Sequence, residues 1–336
     1  MKKITVFLLV SILVLGLSAA AGATAPKKVT ILKYAHMNTE DNLSGQQAIF
    51  LGKRIEELTN GSVKVEIYPN SQLGSLVEQV EMIKANTVQM HHDTWGNMGV
   101  VLEELEAFDT PYIAKNPQDA IKLNSMDSPL IKKANEKLIA TAGIRILGCC
   151  YGGSRNLTCN FPVYSPKDLK GIKIRAIPAP IYVIAVEGMG AIPVPVDWID
   201  VPAALSTGVV EGEENPPTTI NAARLQDLQK YMMDTKHIAA IGPFMINEAA
   251  FQALTKEEQK AVLQASAETV EKFNKIGIDS EKEIIQKLID DGMTFITKAD
   301  GLDVDAFKAG VDALVAKRFA KYNDFYDEVK EYLGYK

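Results

Sequence analysis

Hydrophobic and polar residues follow two different periods in the first part of the chain. Residues 63–67 alternate between apolar and charged side chains, which is the pattern of a strand with one buried face. Residues 46–58 carry apolar side chains at helical spacing, and a second helix is predicted at 75–85. Two further strands are predicted at 29–34 and 89–92. The resulting order β-α-β-α-β is typical of a mostly parallel sheet covered by helices.

A second series of alternating elements begins at residue 144 and predicts a second α/β unit. Gly152 and Gly153 predict a break after its first strand. Asn215 and Pro216 form the pattern of an asparagine N-cap with proline at the first helical position, so a helix is predicted from there to Leu228. The other predicted elements are strands at 144–150, 172–176 and 192–196 and helices at 180–188 and 202–207.

The longest helical pattern runs from about Lys256 to Asp291. It contains no proline and a single glycine, Gly277, and Thr255 with Glu258 forms a capping box at its start. One helix of about 35 residues would be ~50 Å long, which exceeds a small domain. The pattern therefore predicts a helix that crosses two lobes, and the alternative is two helices broken near Gly277.

The N-terminus has the pattern of a cleavable secretory signal peptide. Two lysines precede an apolar run from Ile4 to Leu17, and small residues then lead to an Ala-Gly-Ala sequence that ends at Ala23. The apolar run is shorter than the roughly 20 residues that span a bilayer, although a membrane anchor is the alternative interpretation. We predict a signal peptide at residues 1–23 and export to the periplasm.

Composition narrows the class of protein further. The chain has 36 basic and 42 acidic residues, a net charge of −6, and removal of the signal would take away two of the lysines. A net acidic protein is a poor binder of nucleic acid, so no such partner is predicted. More than 300 mature residues exceed the size of one hydrophobic core, which predicts two domains.

The three cysteines leave two interpretations open. Cys149 and Cys150 are neighbours, so on a strand they point to opposite faces and at most one could meet Cys159. Export permits a disulfide, and the alternative is three buried, reduced thiols. The cysteine spacing matches no zinc pattern.

Sequence signatures of catalysis are absent. The chain has no nucleophile elbow, zinc-protease motif, phosphate-binding loop or dinucleotide fingerprint. His91 and His92 are adjacent and would diverge on a strand, so no metal site is predicted. We therefore predict a protein that is not an enzyme and that has no cofactor; an exported enzyme would need a nucleophile-base pair or a metal centre.

Two arginines and an amide occupy positions suited to an anionic ligand. Arg175 lies at the end of a predicted strand, where α/β sheets bind their ligands, and its guanidinium can hold a carboxylate through two parallel hydrogen bonds. Arg155 follows two glycines and a serine, so the backbone there can bend to present it. Asn215 sits at the start of a predicted helix, which also favours an anion.

Five motifs, in this order, resemble the solute receptors of tripartite ATP-independent periplasmic (TRAP) transporters, the DctP family. The resemblance covers nearly the whole mature chain. The motifs are Tyr-Pro-Asn-Ser-Gln-Leu-Gly at 68–74, Gly-Ser-Arg-Asn-Leu-Thr at 153–158, Ser-Pro-Lys-Asp-Leu-Lys-Gly-Ile-Lys-Ile-Arg at 165–175, Ala-Leu-Ser-Thr-Gly-Val-Val-Glu-Gly at 204–212 and Glu-Asn-Pro at 214–216.

The resemblance implies a two-lobed α/β periplasmic binding protein fold, with a hinge and a long helix spanning both lobes. We assign residues 24–149 plus 238–275 to the first lobe and residues 150–237 plus 276–336 to the second. A monomeric receptor would enclose a small organic anion between the lobes and deliver it to the small and large TRAP membrane subunits. A receptor serving a signalling protein would have the same fold.

The resemblance also assigns roles in the pocket. It implies that Arg175 anchors a carboxylate and that Arg155 and Asn215 add contacts to the ligand. Some keto-acid receptors of the family have a tryptophan and a bridging metal where this chain has Asn215, which weakens a keto-acid interpretation. A sulfonate or an aromatic acid is an alternative ligand. The variable part of the pocket is predicted to comprise Met37, Asn38, Trp95 and Trp198.

Overall fold

The computed structural model describes residues 29–319 and 323–334, so the predicted signal peptide at residues 1–23 lies outside the described residues. Nine strands in this part of the chain form one mixed sheet of order β2-β1-β3-β8-β4-β7-β5-β6, with β9 beside β8. The strands are β1 (Thr30–Ala35), β2 (Val63–Tyr68), β3 (Met90–His92), β4 (Ile144–Cys159), β5 (Lys173–Ala176), β6 (Ile192–Pro195), β7 (Gly212–Asn215), β8 (Tyr231–Asn247) and β9 (Thr294–Ile296).

Helices cover the sheet, as the alternation of elements predicted. The α-helices are α1 (Leu43–Leu58), α2 (Leu76–Lys84), α3 (Trp95–Met98), α4 (Pro117–Leu123), α5 (Pro129–Ala142), α6 (Pro180–Gly188), α7 (Val201–Ser206), α8 (Pro217–Ala222), α9 (Glu248–Gln252), α10 (Lys256–Asp290), α11 (Val304–Phe319) and α12 (Asn323–Tyr332). Short 3-10 helices lie at Glu103–Asp109, Pro166–Leu169, Trp198–Asp200, Leu225–Asp227 and Lys298–Asp300. None of the helices in residues 29–319 and 323–334 is both long and apolar enough to cross a bilayer.

Two long antiparallel strands, β4 and β8, run through the centre of the sheet and join its two halves. On one side of this pair lie β1, β2 and β3, and on the other lie β5, β6 and β7. The pairing of β4 with β8 shifts its register three times along its length. The sheet therefore consists of two α/β halves that share a central ribbon.

The predicted break at Gly152 and Gly153 is wrong, because β4 continues to Cys159. Gly153 adopts a φ of +117°, which a residue without a Cβ tolerates, and the register shifts between Tyr151 and Gly153. The glycines thus form an irregularity within the strand and do not end it.

The strand β8 was not predicted from the sequence. Many of its 17 residues are buried on both faces, since it lies between β3, β4 and β9 in the middle of the sheet. Such a strand lacks the strict apolar-polar alternation by which half-buried strands are recognised.

The prediction of one unbroken long helix is confirmed. Helix α10 has 35 residues and begins with the capping box of Thr255 and Glu258. It does not break at Gly277, where a Cβ atom would lie 2.3 Å from the carbonyl oxygen of Tyr151 in β4. Glycine is needed at this point because the helix and the strand approach each other so closely.

Helix α10 packs in two separate cores. Val262 and Phe273 belong to a core formed with β1 and α1 in the first half of the molecule. Leu288, near the other end of the helix, packs with Val201 and Ile220 of α7 and α8 in the second half. One end of the helix thus contacts the first half of the molecule and the other end contacts the second half.

The three cysteines are free thiols, all buried in β4. Cys149 and Cys150 enter different cores, as expected for neighbours in a strand. Cys159 lies ten residues beyond Cys149 on the same strand, a separation of roughly 30 Å at ~3.3 Å per residue. Because a disulfide requires Cα atoms within about 7 Å, a disulfide between Cys159 and either Cys149 or Cys150 is excluded.

Candidate ligand-binding site

A cavity of about 110 Å³ lies where the two halves of the sheet meet. A cavity that holds one water molecule has a volume of only about 10–15 Å³, so this cavity is large enough for a small organic molecule. Both halves contribute to its wall, and so does the middle of β4 and β8. Six of the seven predicted site residues line it: Met37, Asn38, Arg155, Arg175, Trp198 and Asn215.

Arg175 is placed by β5, at the end of the strand that faces the cavity. Its side chain is only 1% exposed, and its one hydrogen bond within the described residues runs from Nε to the carbonyl oxygen of Val196 at 2.9 Å. The guanidinium lies 5.8 Å from the ring centre of Trp198. Burial lowers the pKa of Arg175 to about 10 against the opposing effect of the nearby Glu214 carboxylate, and the charge of Arg155 adds to the lowering. The two terminal nitrogens are thus available to an anion in the cavity.

Arg155 also lines the cavity, but its charge is neutralised inside the protein. Its guanidinium forms an ion pair with Glu214 of β7, with an Nη2 to Oε1 distance of 2.8 Å. The ring of His237 lies 2.9 Å from the same carboxylate. Burial opposes ionisation of Glu214, but the charge of Arg155 and the hydrogen bond of His237 bring its pKa down to about 2. The charge of Arg175 has no such direct partner.

Asn215 lines the cavity, but it does not cap a helix. It is the last residue of β7, and its amide nitrogen donates to the carboxylate of Glu213. Helix α8 starts only at Pro217, with Pro216 as its N-cap residue. The predicted start was wrong because a residue that precedes proline is driven out of the helical region, and Pro216 precedes Pro217.

Met37 and Asn38 follow β1 and face the cavity from the first half of the sheet. The amide nitrogen of Asn38 donates to Ser44 Oγ at 2.7 Å and lies 3.4 Å from Nε2 of His92. The loop after β1 is thereby tied both to the start of α1 and to the end of β3.

Trp95 is the one predicted pocket residue that does not line the cavity. It is fully buried, its ring stacks on Phe108 at 4.6 Å, and its indole nitrogen donates to Asn124 Oδ1 at 2.6 Å. The two residues before it, Asp93 and Thr94, contribute to the wall. Its side chain turns into the core because a large apolar ring with a satisfied N–H is stable there.

Sequence reasoning missed several polar lining residues, among them His92, Gln47 and Asp109. His92 ends β3, so the rule that identified Arg175 at a strand end could have identified it as well. Gln47 precedes the buried Leu51 by four residues on α1, and a polar residue on an apolar stripe is a recognisable signal. Asp109 has no such signal.

His92 lines the cavity, and the buried rings of His36 and His91 lie close to it. His36 stacks on His92 at 5.1 Å, and neither of its ring nitrogens has a hydrogen-bond partner among the described residues. Burial, followed by the nearby His91, lowers the pKa of His36 to about 4. Burial also holds the pKa of His92 well below its usual value. Both rings are therefore neutral in the folded protein at pH 7.

We expect the folded state to lose stability as the pH falls through the range from 6.5 to 4. Between pH 6.5 and 4, His36 binds a proton in the unfolded chain but not in the folded one, so protonation stabilises the unfolded state. Above pH 6.5 the ring is neutral in both states and His36 causes no loss of stability. At pH 5 the loss from this residue should be about 2 kcal/mol. Urea unfolding of wild type and His36→Phe at pH 7.5 and pH 5 measures it.

His36→Phe removes the titrating group without breaking a hydrogen bond within the described residues. The variant should therefore lose about 2 kcal/mol less than the wild type between the two pH values. Equal losses in both proteins would contradict the prediction.

No group of three or more histidine, cysteine or acidic side chains within the described ranges is arranged to hold a metal ion.

Comparison with known proteins identifies the family. The sequence model of bacterial extracellular solute-binding proteins, family 7 (DctP), matches residues 34–322. A solute-binding protein of Roseobacter denitrificans is 29% identical over 304 residues, which cover 89% of this chain and 90% of the relative. The C4-dicarboxylate-binding periplasmic protein of Rhodobacter capsulatus is 28% identical, with 83% of each chain covered.

Solved structures give the same assignment. A TRAP periplasmic solute-binding protein from Roseobacter denitrificans with bound L-galactonate superposes with a TM-score of 0.84 at 26% identity, covering 91% of this chain and 99% of that chain. One from Actinobacillus succinogenes, also with bound L-galactonate, has a TM-score of 0.83 at 28% identity and covers 90% and 99%. The predicted two-lobed α/β fold is confirmed. The chain belongs to the DctP family of TRAP solute-binding proteins, the bacterial extracellular solute-binding proteins of family 7.

Proposed function

We propose that this protein is the periplasmic receptor of a TRAP transporter and that it captures a small organic acid through Arg175. Members of the family are transport receptors that bind small acids and work with TRAP membrane components. In this chain the ligand carboxylate would lie in the cavity between the halves of the sheet and accept hydrogen bonds from the two terminal nitrogens of Arg175.

The observation that carries the proposal is that the buried guanidinium of Arg175 forms no direct ion pair with a carboxylate of the described residues. A guanidinium that is 1% exposed has given up its water, and no carboxylate of the described residues forms an ion pair with it. An unpaired buried charge is unfavourable unless an opposite charge joins it. A ligand carboxylate supplies that charge, and the planar fork of arginine fits its two oxygens.

Further parts of the proposal concern export, lobes and partners. Residues 1–23 would be removed as a signal peptide during export to the periplasm. Residues 24–149 with 238–275 and residues 150–237 with 276–336 would form lobes that close over the ligand about β4, β8 and α10. The loaded monomer would then dock on the small and large membrane subunits.

A panel of small carboxylic acids and their primary amides tests the proposal. Each amide matches its acid in size and lacks only the charge, so it should bind at least about tenfold more weakly. Calorimetry measures the affinity. Tryptophan fluorescence reports contact with the site, because the chain has two tryptophans, of which Trp198 lines the cavity and Trp95 is buried in the core. Amides that bind as tightly as their acids would contradict the proposed function.

A further inference from the structure

A hydrogen bond joins two side chains of β7 just behind the cavity wall. Residues two apart on a strand point the same way, which places Glu213 beside Asn215. Glu213 is fully buried and does not line the cavity, whereas Asn215 does. The amide nitrogen of Asn215 donates to Oε2 of Glu213, and Oε1 of Glu213 accepts from the hydroxyl of Thr158 at 3.0 Å. Glu213 can therefore influence a ligand at this point through Asn215.

The carboxylate of Glu213 fixes which end of the Asn215 side chain faces the ligand. A carboxamide has a donor end and an acceptor end, whereas an ionised carboxylate only accepts hydrogen bonds. The nitrogen of Asn215 must then face Glu213, which turns Oδ1 the other way. Oδ1 has no hydrogen-bond partner among the described residues, and it is not one of the atoms that burial shuts off from solvent. The second half of the molecule thus presents an acceptor oxygen to the cavity.

Several charged or titratable groups face Glu213 from its own strand and the neighbouring ones. Glu214 follows it on β7, Arg175 lies on β5, and Arg155 and Cys159 lie on β4. Burial raises the pKa of Glu213 to about 7 against the hydrogen bond from the neighbouring amide and the charge of Arg175, and the charge of Glu214 adds to the rise. Above pH 7 the side chain is therefore mainly an acceptor, and below pH 7 it gains a proton that it can donate.

The acceptor oxygen lies in the same half of the molecule as the anchoring guanidinium. Strand β5 pairs with β7 in parallel at Ile174 and Gly212, and both strands end at the cavity with Arg175 and Asn215. A carboxylate held by Arg175 would therefore have Asn215 close to its first carbon atoms. A hydroxyl group there donates to the amide oxygen, whereas a carbonyl oxygen would meet a second acceptor. An ammonium group is disfavoured because it would lie beside the cationic Arg175.

We propose that Glu213 is a positioning residue that holds the carboxamide oxygen of Asn215 toward the cavity, so that the receptor selects an acid with a hydroxyl group next to its carboxylate. The expected ligands are 2-hydroxy acids, in preference to 2-oxo acids and unsubstituted acids. This selectivity rests on the proposed function, because it takes Arg175 as the carboxylate anchor.

Three acids of one chain length test the selectivity of the wild-type protein by calorimetry at pH 8.5. They are 2-hydroxyhexanoate, with each enantiomer measured separately, hexanoate and 2-oxohexanoate. One enantiomer of the hydroxy acid should bind about tenfold more tightly than hexanoate, which is the effect of one hydrogen bond, and 2-oxohexanoate should bind no more tightly than hexanoate. Equal affinities for the hydroxy and oxo acids, or no binding of either, would overturn the inference.

The variant Glu213→Gln tests the positioning role. It keeps the size of the side chain, but its carboxamide can donate or accept, so Asn215 can adopt either orientation. The preference for 2-hydroxyhexanoate over 2-oxohexanoate should fall from about tenfold to within about threefold, whereas a merely structural role would change both affinities alike. Glu211→Gln is the matched control, because this side chain is exposed and bonds to the backbone of Lys173, and it should leave the preference unchanged.

The pH dependence of wild type is a second measurement that requires no folded variant. A proton on Glu213 below pH 7 allows Asn215 to reverse, so the ratio of the two affinities should shrink between pH 8.5 and pH 6. Both acids carry one negative charge throughout this range, so the effect of that charge cancels in the ratio. The ratio in Glu213→Gln should stay constant. A wild-type ratio that does not change with pH would overturn the inference.

The outcomes separate this inference from the proposed function. Acids that bind better than their amides, but with no preference for the hydroxyl group, would overturn the inference and leave the organic-acid receptor intact. Acids that bind no better than their amides would overturn both.

Discussion

Replacing Arg175 by alanine should weaken binding of the cognate acid by about 2–5 kcal/mol, or roughly 30- to 5,000-fold in Kd. The ligand carboxylate would enter a cavity whose anchoring guanidinium is almost fully desolvated. Charged hydrogen bonds in such surroundings are stronger than in water, and a carboxylate left there without its partner is strongly disfavoured. Isothermal titration calorimetry of wild type and variant measures the difference.

Two further variants sharpen this test. Arg175→Lys keeps the charge but loses the planar fork, so its affinity should lie between those of wild type and Arg175→Ala. Arg224→Ala is the matched control, because this side chain is 72% exposed and pairs only with Asp227 among the described residues. Its affinity for the acid should equal that of wild type. An unchanged Kd for Arg175→Ala would show that the anchor lies elsewhere.

Replacing Glu214 by glutamine should lower the free energy of unfolding by about 3–5 kcal/mol, because it leaves the buried charge of Arg155 unpaired. Arg155 and Glu214 are 4% and 1% exposed, and the carboxylate also meets the ring of His237. Their interaction joins β4 to β7 across 59 residues of sequence. Urea unfolding at pH 7 measures the loss.

The double variant Arg155→Met with Glu214→Leu distinguishes an unpaired charge from lost packing. Removing both charges should restore most of the stability, because two buried apolar side chains of similar size need no opposite charge to balance them. Asp279→Asn serves as a control: it breaks an exposed pair with Lys275 on α10 and should leave the stability nearly unchanged. A double variant as unstable as Glu214→Gln would contradict this account of the ion pair.

Local sequence patterns were sufficient to predict the elements that carry one buried face. The alternation in β2, the apolar spacing in α1 and the capping box of α10 each depend on residues close in sequence. Arg175 was identified by the same kind of information, since a basic residue at the end of a strand in an α/β unit needs no knowledge of the rest of the fold. The family was also predictable, because its motifs are continuous in sequence.

Other features could not be predicted because they depend on contacts between distant segments. The strand β8 can be identified only from its pairing with neighbouring strands. Trp95 turns into the core because its ring stacks on Phe108 there and its indole nitrogen donates to Asn124. Arg155 and Arg175 were indistinguishable as candidate anchors by charge alone. The fold gives one of them a buried carboxylate and leaves the other without one.

The sequence by itself determined the two α/β units, the long helix and an arginine at the end of a strand, because hydrophobic period and strand ends are local properties. Only the tertiary structure decided which arginine lacks a direct ion pair and which tryptophan reaches the cavity. Those outcomes depend on which side chains from distant segments compete for the same space and the same hydrogen bonds.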